Sequence, residues 1–460
     1  MRLTRREALA GAAAGVLGAA GIYELVDRMA GSPSRPTVTA RPPEQHVLEG
    51  LAVVKQDGVE VVVPPLHHTL VTANVKAKDL RDAQRSLETA LLELESAYEP
   101  TPAGLGVTVA WGLPYFDRYV PRAAERHLPF DRRAGKPVLL DAVRFPSDPK
   151  ETILESNDVA VLLRSDHLDH IAHAEHALFD RLPVFERTSV RRGFAGGGFE
   201  GRTSLPKKMA MAAGVPGADL IPDTSELFLG FTSTQKANLG PRRIANHETL
   251  GYVDLRGGYF HGGTHMHVSH IAEDLEAWYL NFDFRERADT TFRPAVKIRD
   301  GAQVVPQGPK DVSDETRVAR DFKTSGRFGH SASIQPTSRL QQDVVGPDGT
   351  VYPKGTAVPQ RADFNTLDNP FAWTAHPARD GFDSQPSAGV HFVVFNPTGD
   401  DFHRNRMAMD GVMPGGVKLS LPPRARGQGF NSILRTTHRQ NFLVPPRRHR
   451  SFPLAELQEA

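Results

Sequence analysis

The sequence has 460 residues, a net charge of +1 at neutral pH and no cysteine. A charge so close to zero gives no reason to expect a nucleic acid or an anionic membrane surface as a partner. The lack of cysteine excludes disulfide bonds, iron–sulfur clusters and thiolate ligands, so nitrogen or oxygen atoms must bind any metal, and the 19 histidines are the main source of nitrogen.

Residues 1–30 have the pattern of an export signal. Arg5 and Arg6 precede an uncharged run of about fifteen residues, Leu9 to Tyr23, which is too short for a comfortable span of the roughly 30 Å hydrocarbon core. The paired arginines predict the twin-arginine (Tat) route, which exports folded proteins, so the Tat translocon is the expected partner during export and the periplasm or the medium the expected destination. Two alternatives stay open. The arginines could belong to an ordinary signal, or the signal could be retained as a membrane anchor, because no A-x-A cleavage site is evident.

Residues 31–45 are rich in Pro, Ser, Thr and Arg and predict a linker. The roughly 430 residues that follow the signal are enough for two core-forming units. We predict the first unit over residues 46–245. Its hydrophobic periodicity gives strand, helix, strand, strand and helix, which is typical of a ferredoxin-like unit, over Leu70–Val75, Lys78–Tyr98, Leu105–Gly112, Asp158–Arg164 and His167–Phe179.

Residues 246–460 are predicted to repeat this plan. The expected strands are Thr264–His270 and Val390–Asn396, and the expected helices are Ile271–Asn281 and Asp401–Asp410. Two turn signals around Thr350–Tyr352 predict an inserted surface hairpin. The predicted fold class is therefore α+β, with two ferredoxin-like units in tandem.

A pair of histidines lies on the first strand of the second unit. His265 and His267 alternate along the strand and so share one face. Two imidazoles on one face can form half of a copper or zinc site. The alternative is a packed or hydrogen-bonded pair without a metal.

Four segments resemble the dye-decolourising (DyP-type) haem peroxidase superfamily, and the resemblance extends from about Leu70 to Pro445. The segments run from Val107 to Gly112 with Phe116-Asp117, from Asn157 to Asp166, from Gly262 to Ile271 with Asp274 and Trp278 behind it, and from Gly389 to Pro397 with Phe402 to Met409. The resemblance implies tandem ferredoxin-like units of the dimeric α+β barrel type, with the haem pocket in the second unit. The family often forms oligomers, so a homo-oligomer is also implied.

In this family a proximal histidine holds the iron of haem b. The resemblance assigns that role to His330, because Pro336 follows it six residues later and Arg339 comes soon after, as in the family. Arg339 and His270 are expected to contact the cofactor. A rival alignment matches Ala332-Ser333-Ile334 to the family's Ala-His-Ile and would place Ser333 at the ligand position.

The family also has a distal arginine that stabilises charge as the O–O bond breaks, and the resemblance assigns this role to Arg361 in Gln360–Asn365. The alternative is an arginine in a surface salt bridge. The family's G-F-x-D-G signature carries an acid/base Asp, but here Gly230-Phe231-Thr232-Ser233 has Ser233 in its place, and a serine cannot be a carboxylate base. A second match, Gly198-Phe199-Glu200-Gly201, would supply Glu200.

Three hypotheses of function follow. The first is an exported haem peroxidase or oxidase that uses hydrogen peroxide to oxidise an unidentified reductant, with electrons travelling through surface aromatics such as Trp278 or Trp373. The second is a degenerate relative that binds haem, a metal or a small ligand without peroxidase chemistry, which the missing Asp favours. The third is a structural or interaction protein without a cofactor.

Overall fold

The computed structural model of the protein describes residues 41–196, 204–232, 244–369 and 386–458, together with Tyr23, Leu25, Val26 and Met29. The strands are β1 (Ala52–Gln56), β2 (Val59–Val63), β3 (His67–Val75), β4 (Gly106–Trp111), β5 (Phe130–Asp131), β6 (Lys136–Pro137), β7 (Ile153–Leu154), β8 (Val159–Ser165), β9 (Phe185–Phe194), β10 (Thr264–Glu273), β11 (Val344–Val345), β12 (Val351–Tyr352), β13 (Gln360–Arg361), β14 (Phe364–Thr366), β15 (Gly389–Asn396) and β16 (Leu434–Val444). The α-helices are α1 (Leu80–Ala97), α2 (Leu113–Tyr119), α3 (Pro121–His127), α4 (Leu168–Glu175), α5 (Leu205–Ala212), α6 (Leu275–Asn281), α7 (Phe284–Thr291), α8 (Glu315–Ser325), α9 (His330–Ser338) and α10 (Gly399–Met409). Within these ranges, no helix combines the length and apolar character needed to cross a bilayer.

The first half of the barrel sheet has the strand order β9-β3-β8-β4, and every neighbouring pair is antiparallel. Helix α1 connects β3 to β4, and α4 connects β8 to β9. Numbered along the chain, this is the order 4-1-3-2 of a ferredoxin-like unit.

The second half repeats this topology with the order β16-β10-β15-β14, again antiparallel throughout. The short strand β13 also pairs with β15, and α10 connects β15 to β16. The fold is therefore α+β with tandem ferredoxin-like units, as the sequence predicts. The proposed domain boundary at residues 245 and 246 lies between β9 and β10 and stays a prediction.

The two halves join at both edges to close a ring of eight strands. Asn365 of β14 pairs with Phe194 of β9, and Leu443 of β16 pairs with Trp111 of β4. At the first junction a Cβ atom on Gly193 would collide with the carbonyl oxygen of Asn365, so glycine permits the close approach of the two strands. The ring encloses an apolar interior that contains Leu70, Ala110, Ala160, Leu162, Met266, Val268, Val393, Phe395, Phe442 and Val444.

Hydrophobic periodicity explains the principal elements of the first half. Helix α1 buries Ala83, Leu87, Ala90, Leu91 and Leu94, which recur at helical spacing, and the Asp79 carboxylate caps its N-terminus by accepting hydrogen bonds from Arg81 N (2.8 Å) and Asp82 N (3.0 Å). Strand β8 is buried on both faces, because α1 and α4 cover one face and the ring interior the other. This is why its sequence is continuously apolar rather than alternating.

Several element boundaries differ from the sequence-based expectations. The helix expected from Ile271 begins only at Leu275, because β10 stays paired with β15 and β16 through Ala272 and Asp274 then caps α6. Helix α10 begins at Gly399, where Thr398 forms the cap, before the expected Asp401. The expected hairpin is confirmed as β11 and β12. Gln45, the last residue of the expected linker, is buried and its side chain bonds the backbone of Val109.

Candidate functional site

A cavity lies on the outer face of the second half, between the sheet on one side and helices α9 and α10 on the other. Its volume is about 230 Å³. A water molecule occupies roughly 30 Å³ of liquid, so the cavity has room for a much larger ligand. Its lining is mostly apolar, with a small number of charged side chains, which is typical of a ligand site.

The sheet forms the floor of this cavity through side chains that alternate along two strands. Ser269, Ile271 and Glu273 of β10 point into the cavity, as do Val390, Phe392 and Val394 of β15. Ile271 pairs directly with Val390 in the register of the two strands. Side chains of opposite direction on the same strands, such as Val268 of β10 and Val393 of β15, face the ring interior instead.

Helix α9 places His330 at the opposite wall. The residues of α9 that line the cavity, His330, Ser331, Ile334, Gln335 and Ser338, recur at helical spacing and so share one face. Ser333 is fully buried on another face, where its hydroxyl donates to the carbonyl oxygen of His330 at 3.0 Å. The cavity therefore presents His330 to a ligand, whereas the rival alignment with Ser333 as the ligand finds no support in this geometry.

The His330 ring is a neutral imidazole. Its Nδ1 atom is buried and has no hydrogen-bond partner in the part of the chain that the structure describes. Burial, together with the positive charges of Arg361 and Arg406, lowers the pKa of His330 to about 3. A neutral ring with an uncommitted nitrogen has the electronic state that a metal ligand requires.

Arg361 lies in the cavity wall on β13, and a buried carboxylate holds it in place. Arg361 Nε donates to Asp363 Oδ1 at 2.8 Å, and a second bond joins Arg361 Nη2 to Asp363 Oδ2. The two side chains are 19% and 8% exposed, so this bidentate pair belongs to the cavity and not to the surface. Asp363 was not among the expected site residues, although the spacing Arg-x-Asp on a strand places both side chains on one face.

Three further arginines line the cavity. Arg339 follows α9 directly, donates from Nη1 to Gly355 O at 2.8 Å, and has a pKa that burial lowers to about 10. Arg406 of α10 and Arg439 of β16 both contact Asp148, at 3.1 Å and 2.9 Å respectively. Arg339 was expected here, but no motif pointed to Arg406 or Arg439.

His270 does not lie at this cavity, contrary to the expectation from the sequence. It follows Ser269 on β10, so its side chain points to the other face of the sheet. There its Nδ1 atom lies 2.8 Å from Thr437 Oγ1, and its ring packs 5.1 Å from the ring of His391. The expected role of His270 in cofactor binding is therefore corrected to a place in the ring interior.

Some expected residues fall outside the described residues, namely Ser233, Glu200 and Trp373. The loop that leads to Ser233 reaches the cavity with Leu229, Phe231 and Thr232. Trp278 is fully buried, and its Nε1 donates to Leu229 O at 2.9 Å, so it is not the surface aromatic that the sequence suggested.

The histidine pair of β10 is buried and packed. His267 contacts Asn441 Oδ1 at 2.7 Å and Ser269 Oγ at 2.8 Å, and its ring stacks on Phe402. Among the described residues, no cluster of three or more His, Asp or Glu side chains is arranged to hold a metal ion. The contacts therefore favour the packed pair over a separate copper or zinc site.

Residues 65–446 match a protein family described as a family of unknown function, DUF7405. No curated protein matches the chain. The fold is similar to the solved structure of a DyP-type peroxidase from Cellulomonas bogoriensis, with a TM-score of 0.50 and 17% sequence identity over 88% of this chain and 96% of that chain.

Two other solved structures show lower similarity. DyPB from Rhodococcus jostii RHA1 has a TM-score of 0.47 and 14% identity over 84% of this chain and 95% of that chain. The encapsulated DyP-type peroxidase from Mycobacterium smegmatis has a TM-score of 0.47 and 13% identity over 85% of this chain and 95% of that chain. The chain thus belongs to the DUF7405 family and has the fold of the DyP-type peroxidases.

Proposed function

We propose that this chain is an exported haem protein that reacts with hydrogen peroxide and takes electrons from an external reductant. One observation carries the proposal. The resemblance assigns His330 to the iron, Arg339 to contact with the cofactor and Arg361 to stabilising charge on peroxide. All three side chains line the same cavity.

The residues of the cavity fit haem b. Its iron needs a nitrogen ligand, and His330 offers a neutral ring with a buried, unpartnered Nδ1 atom in the described part of the chain. The porphyrin needs apolar walls, which Ile271, Val390 and Phe392 provide. Its two carboxylates need cations, and Arg339 is a buried arginine in the same wall.

Each side chain then has a defined task. His330 would hold the iron, and Arg339 would bind a haem carboxylate. When bound, haem supplies a redox-active iron centre. Arg361, oriented by Asp363, can donate hydrogen bonds from its rigid fork to negative charge that develops on a peroxide oxygen.

Export by the Tat route belongs to the same proposal. Arg5 and Arg6 precede the apolar run, and a route that carries folded proteins is compatible with a cofactor that is inserted before export. The Tat translocon is then a transient partner, and the final location lies outside the cytoplasm.

A second candidate is a haem or small-ligand carrier that lacks peroxidase activity. The specific observation in its favour is the bond between Arg361 and Asp363, since a fork that is already engaged by a carboxylate has less capacity to stabilise a peroxide anion. Ser233, in place of the family's acid/base Asp, also favours a carrier without peroxidase activity.

The test is the visible absorption spectrum of the full chain, purified from a haem-replete host. We expect a Soret band in the wild type, its loss in His330→Ala, and its retention in the control His127→Ala, because His127 is exposed on α3. A wild type without a Soret band would refute both candidates as haem proteins. A Soret band without any reaction with peroxide would refute the peroxidase and support the second candidate, a haem carrier.

A further inference from the structure

The ring interior contains a buried arginine, Arg164, that the proposed function does not use. Arg164 lies on β8 and shares a face of that strand with Ala160 and Leu162, so its side chain points into the ring. The residue is 3% exposed. Burial lowers the pKa of Arg164 only to about 10, so the guanidinium keeps its proton at neutral pH. Arg164 is therefore a permanent positive charge inside the fold.

No negative charge of the described chain compensates Arg164. Its Nη2 atom donates to the carbonyl oxygen of His46 at 3.0 Å, which is a neutral acceptor. Within the described ranges no carboxylate forms an ion pair with it, and burial is the only influence that shifts its pKa. Arg191 of β9, which is also buried in the ring, forms an ion pair with Glu155 instead. A buried charge without a counter-charge is strongly unfavourable, so Arg164 requires a counter-ion.

A second donor lies beside Arg164. His68 of β3 pairs directly with Arg164 in the register of the two strands, and its side chain is 1% exposed. Burial, together with the charge of Arg164, lowers the pKa of His68 well below its usual value, so the ring is neutral and carries one N–H group. Arg164 Nε and both ring nitrogens of His68 are buried without a hydrogen-bond partner in the part of the chain that the structure describes. Two neighbouring N–H donors therefore lack an acceptor.

The surroundings of this pair are apolar and closely packed. The ring of Phe364 stacks on that of His68, with the centroids 4.9 Å apart. Gly106 of β4 pairs with Arg164 on the other side, and a Cβ atom there would lie 3.7 Å from Arg164 Nε and 2.9 Å from Leu48 Cδ1. These side chains offer no acceptor and limit the space, which favours a single small ion over a polyatomic anion such as phosphate.

We propose that the ring interior contains a site for one monovalent anion of the size of chloride, which accepts hydrogen bonds from Arg164 Nε and from the ring of His68. The anion supplies the missing charge and the missing acceptor together. The site lies inside the first half of the ring, whereas the cavity of His330 lies on the outer face of the second half. The inference therefore does not rest on the proposed function.

The first experiment measures the thermal unfolding of the full chain as a function of chloride concentration. Sodium methanesulfonate replaces sodium chloride so that the ionic strength stays constant. An anion that binds only the folded chain stabilises it by mass action, so a hundredfold rise in chloride above the Kd should raise the Tm by about 3 °C. A wild-type Tm that does not depend on chloride would overturn the proposal.

Three variants test which residues bind the anion. In Arg164→Met the Tm should not depend on chloride, and without chloride it should be at least as high as that of the wild type, because an uncompensated buried charge has been removed. His68→Leu should weaken chloride binding about tenfold or more, because a hydrogen bond to a charged group is lost. The control Arg187→Met removes a partly exposed arginine of β9 and should keep the wild-type dependence. A chloride dependence of wild-type size in Arg164→Met would mean a general salt effect and contradict the site.

The second experiment locates the anion without any variant, and so decides if Arg164→Met fails to fold. Bromide takes the place of chloride and scatters X-rays anomalously. Crystals of the full chain grown in sodium bromide should show an anomalous peak at hydrogen-bond distance from Arg164 Nε and the ring of His68. Maps without a peak at this position, including maps with peaks only at exposed arginines, would overturn the proposal.

Discussion

At the scale of single residues, breaking the pair of Arg361 and Asp363 should lower the free energy of unfolding by a measurable amount. Both side chains are largely buried, and removing one partner of a buried pair leaves an uncompensated charge. We expect Asp363→Asn to lower the free energy of unfolding by about 3 kcal/mol, measured by urea denaturation. The matched control is Asp82→Asn, since the pair of Asp82 and Arg85 is exposed and should contribute less than about 1 kcal/mol. Equal effects in the two variants would contradict the burial argument.

The site residues that could be predicted from the sequence are those that lie at a characteristic distance from neighbouring residues in a family motif. His330 and Arg361 were found in this way, and both line the cavity. The side-chain direction of a strand residue depends on the register of pairing, which the sequence does not state. His270 was therefore expected at the cofactor although its side chain faces the ring interior, and Glu273 was placed in a helix when it is the last residue of β10.

At the scale of elements, periodicity predicted the long helices and the buried strands to within a few residues. The segment Ile271–Glu273 shows why boundaries are harder. Its apolar spacing continues that of the following helix, but pairing with β15 and β16 holds it in the strand, and the helix begins only after the Asp274 side chain accepts a bond from Ala277 N at 2.9 Å. Contacts between distant segments outweigh local preference at such a point.

A second prediction at this scale concerns Tyr23 and Val26, two described residues of the predicted signal that pack on the folded body. Tyr23 is 2% exposed and Val26 is fully buried, and the Tyr23 hydroxyl donates to Asp368 Oδ1 at 2.7 Å. Burial raises the pKa of Asp368 to about 6, so the carboxylate depends on its donors. We expect Tyr23→Phe to lower the free energy of unfolding of the full chain by roughly 1.5–3 kcal/mol, because the removed hydrogen bond is made to a charged group.

The control for this prediction is Tyr98→Phe, which removes an exposed hydroxyl that contacts His173 and should change stability by less than about 0.5 kcal/mol. If Tyr23→Phe is as mild as this control, the bond from Tyr23 to Asp368 does not contribute to stability as described. A clear loss of stability would instead support the docked position of Tyr23 against Asp368.

At the scale of the whole molecule, the tandem arrangement could be predicted because each half is organised by patterns within its own sequence. The closure of the ring was expected only from the resemblance to a barrel-type family and not from any pattern in the chain, because it depends on two short junctions, Asn365 with Phe194 and Leu443 with Trp111, which join segments that are far apart in the chain. Neither junction has a sequence pattern of its own. The cavity follows from this closure, since one face of the second sheet covers the ring interior and only the other remains for a ligand.

The assembled molecule also buries neutral histidines, which predicts acid sensitivity. Burial lowers the pKa of His265 and of His438 to about 3 and that of His247 to about 4, whereas an unfolded histidine titrates near 6.5. The unfolded chain therefore binds more protons between these values, and stability that is complete above pH 6.5 is lost as the pH falls towards 3. Each such histidine should contribute a loss on the order of 1–3 kcal/mol by pH 4.

His265 gives the sharpest test of this loss of stability at low pH, because both of its ring nitrogens are buried without a hydrogen-bond partner among the described residues. In His265→Leu, the free energy of unfolding, measured by urea denaturation from pH 7 to pH 4, should fall less steeply than in the wild type, by up to about 1.4 kcal/mol per pH unit. The exposed His127→Leu should keep the wild-type slope. A slope that His265→Leu leaves unaltered would mean that this ring takes up its proton over the same pH range in the folded and the unfolded chain, and the electrostatic account of the interior would have to be revised.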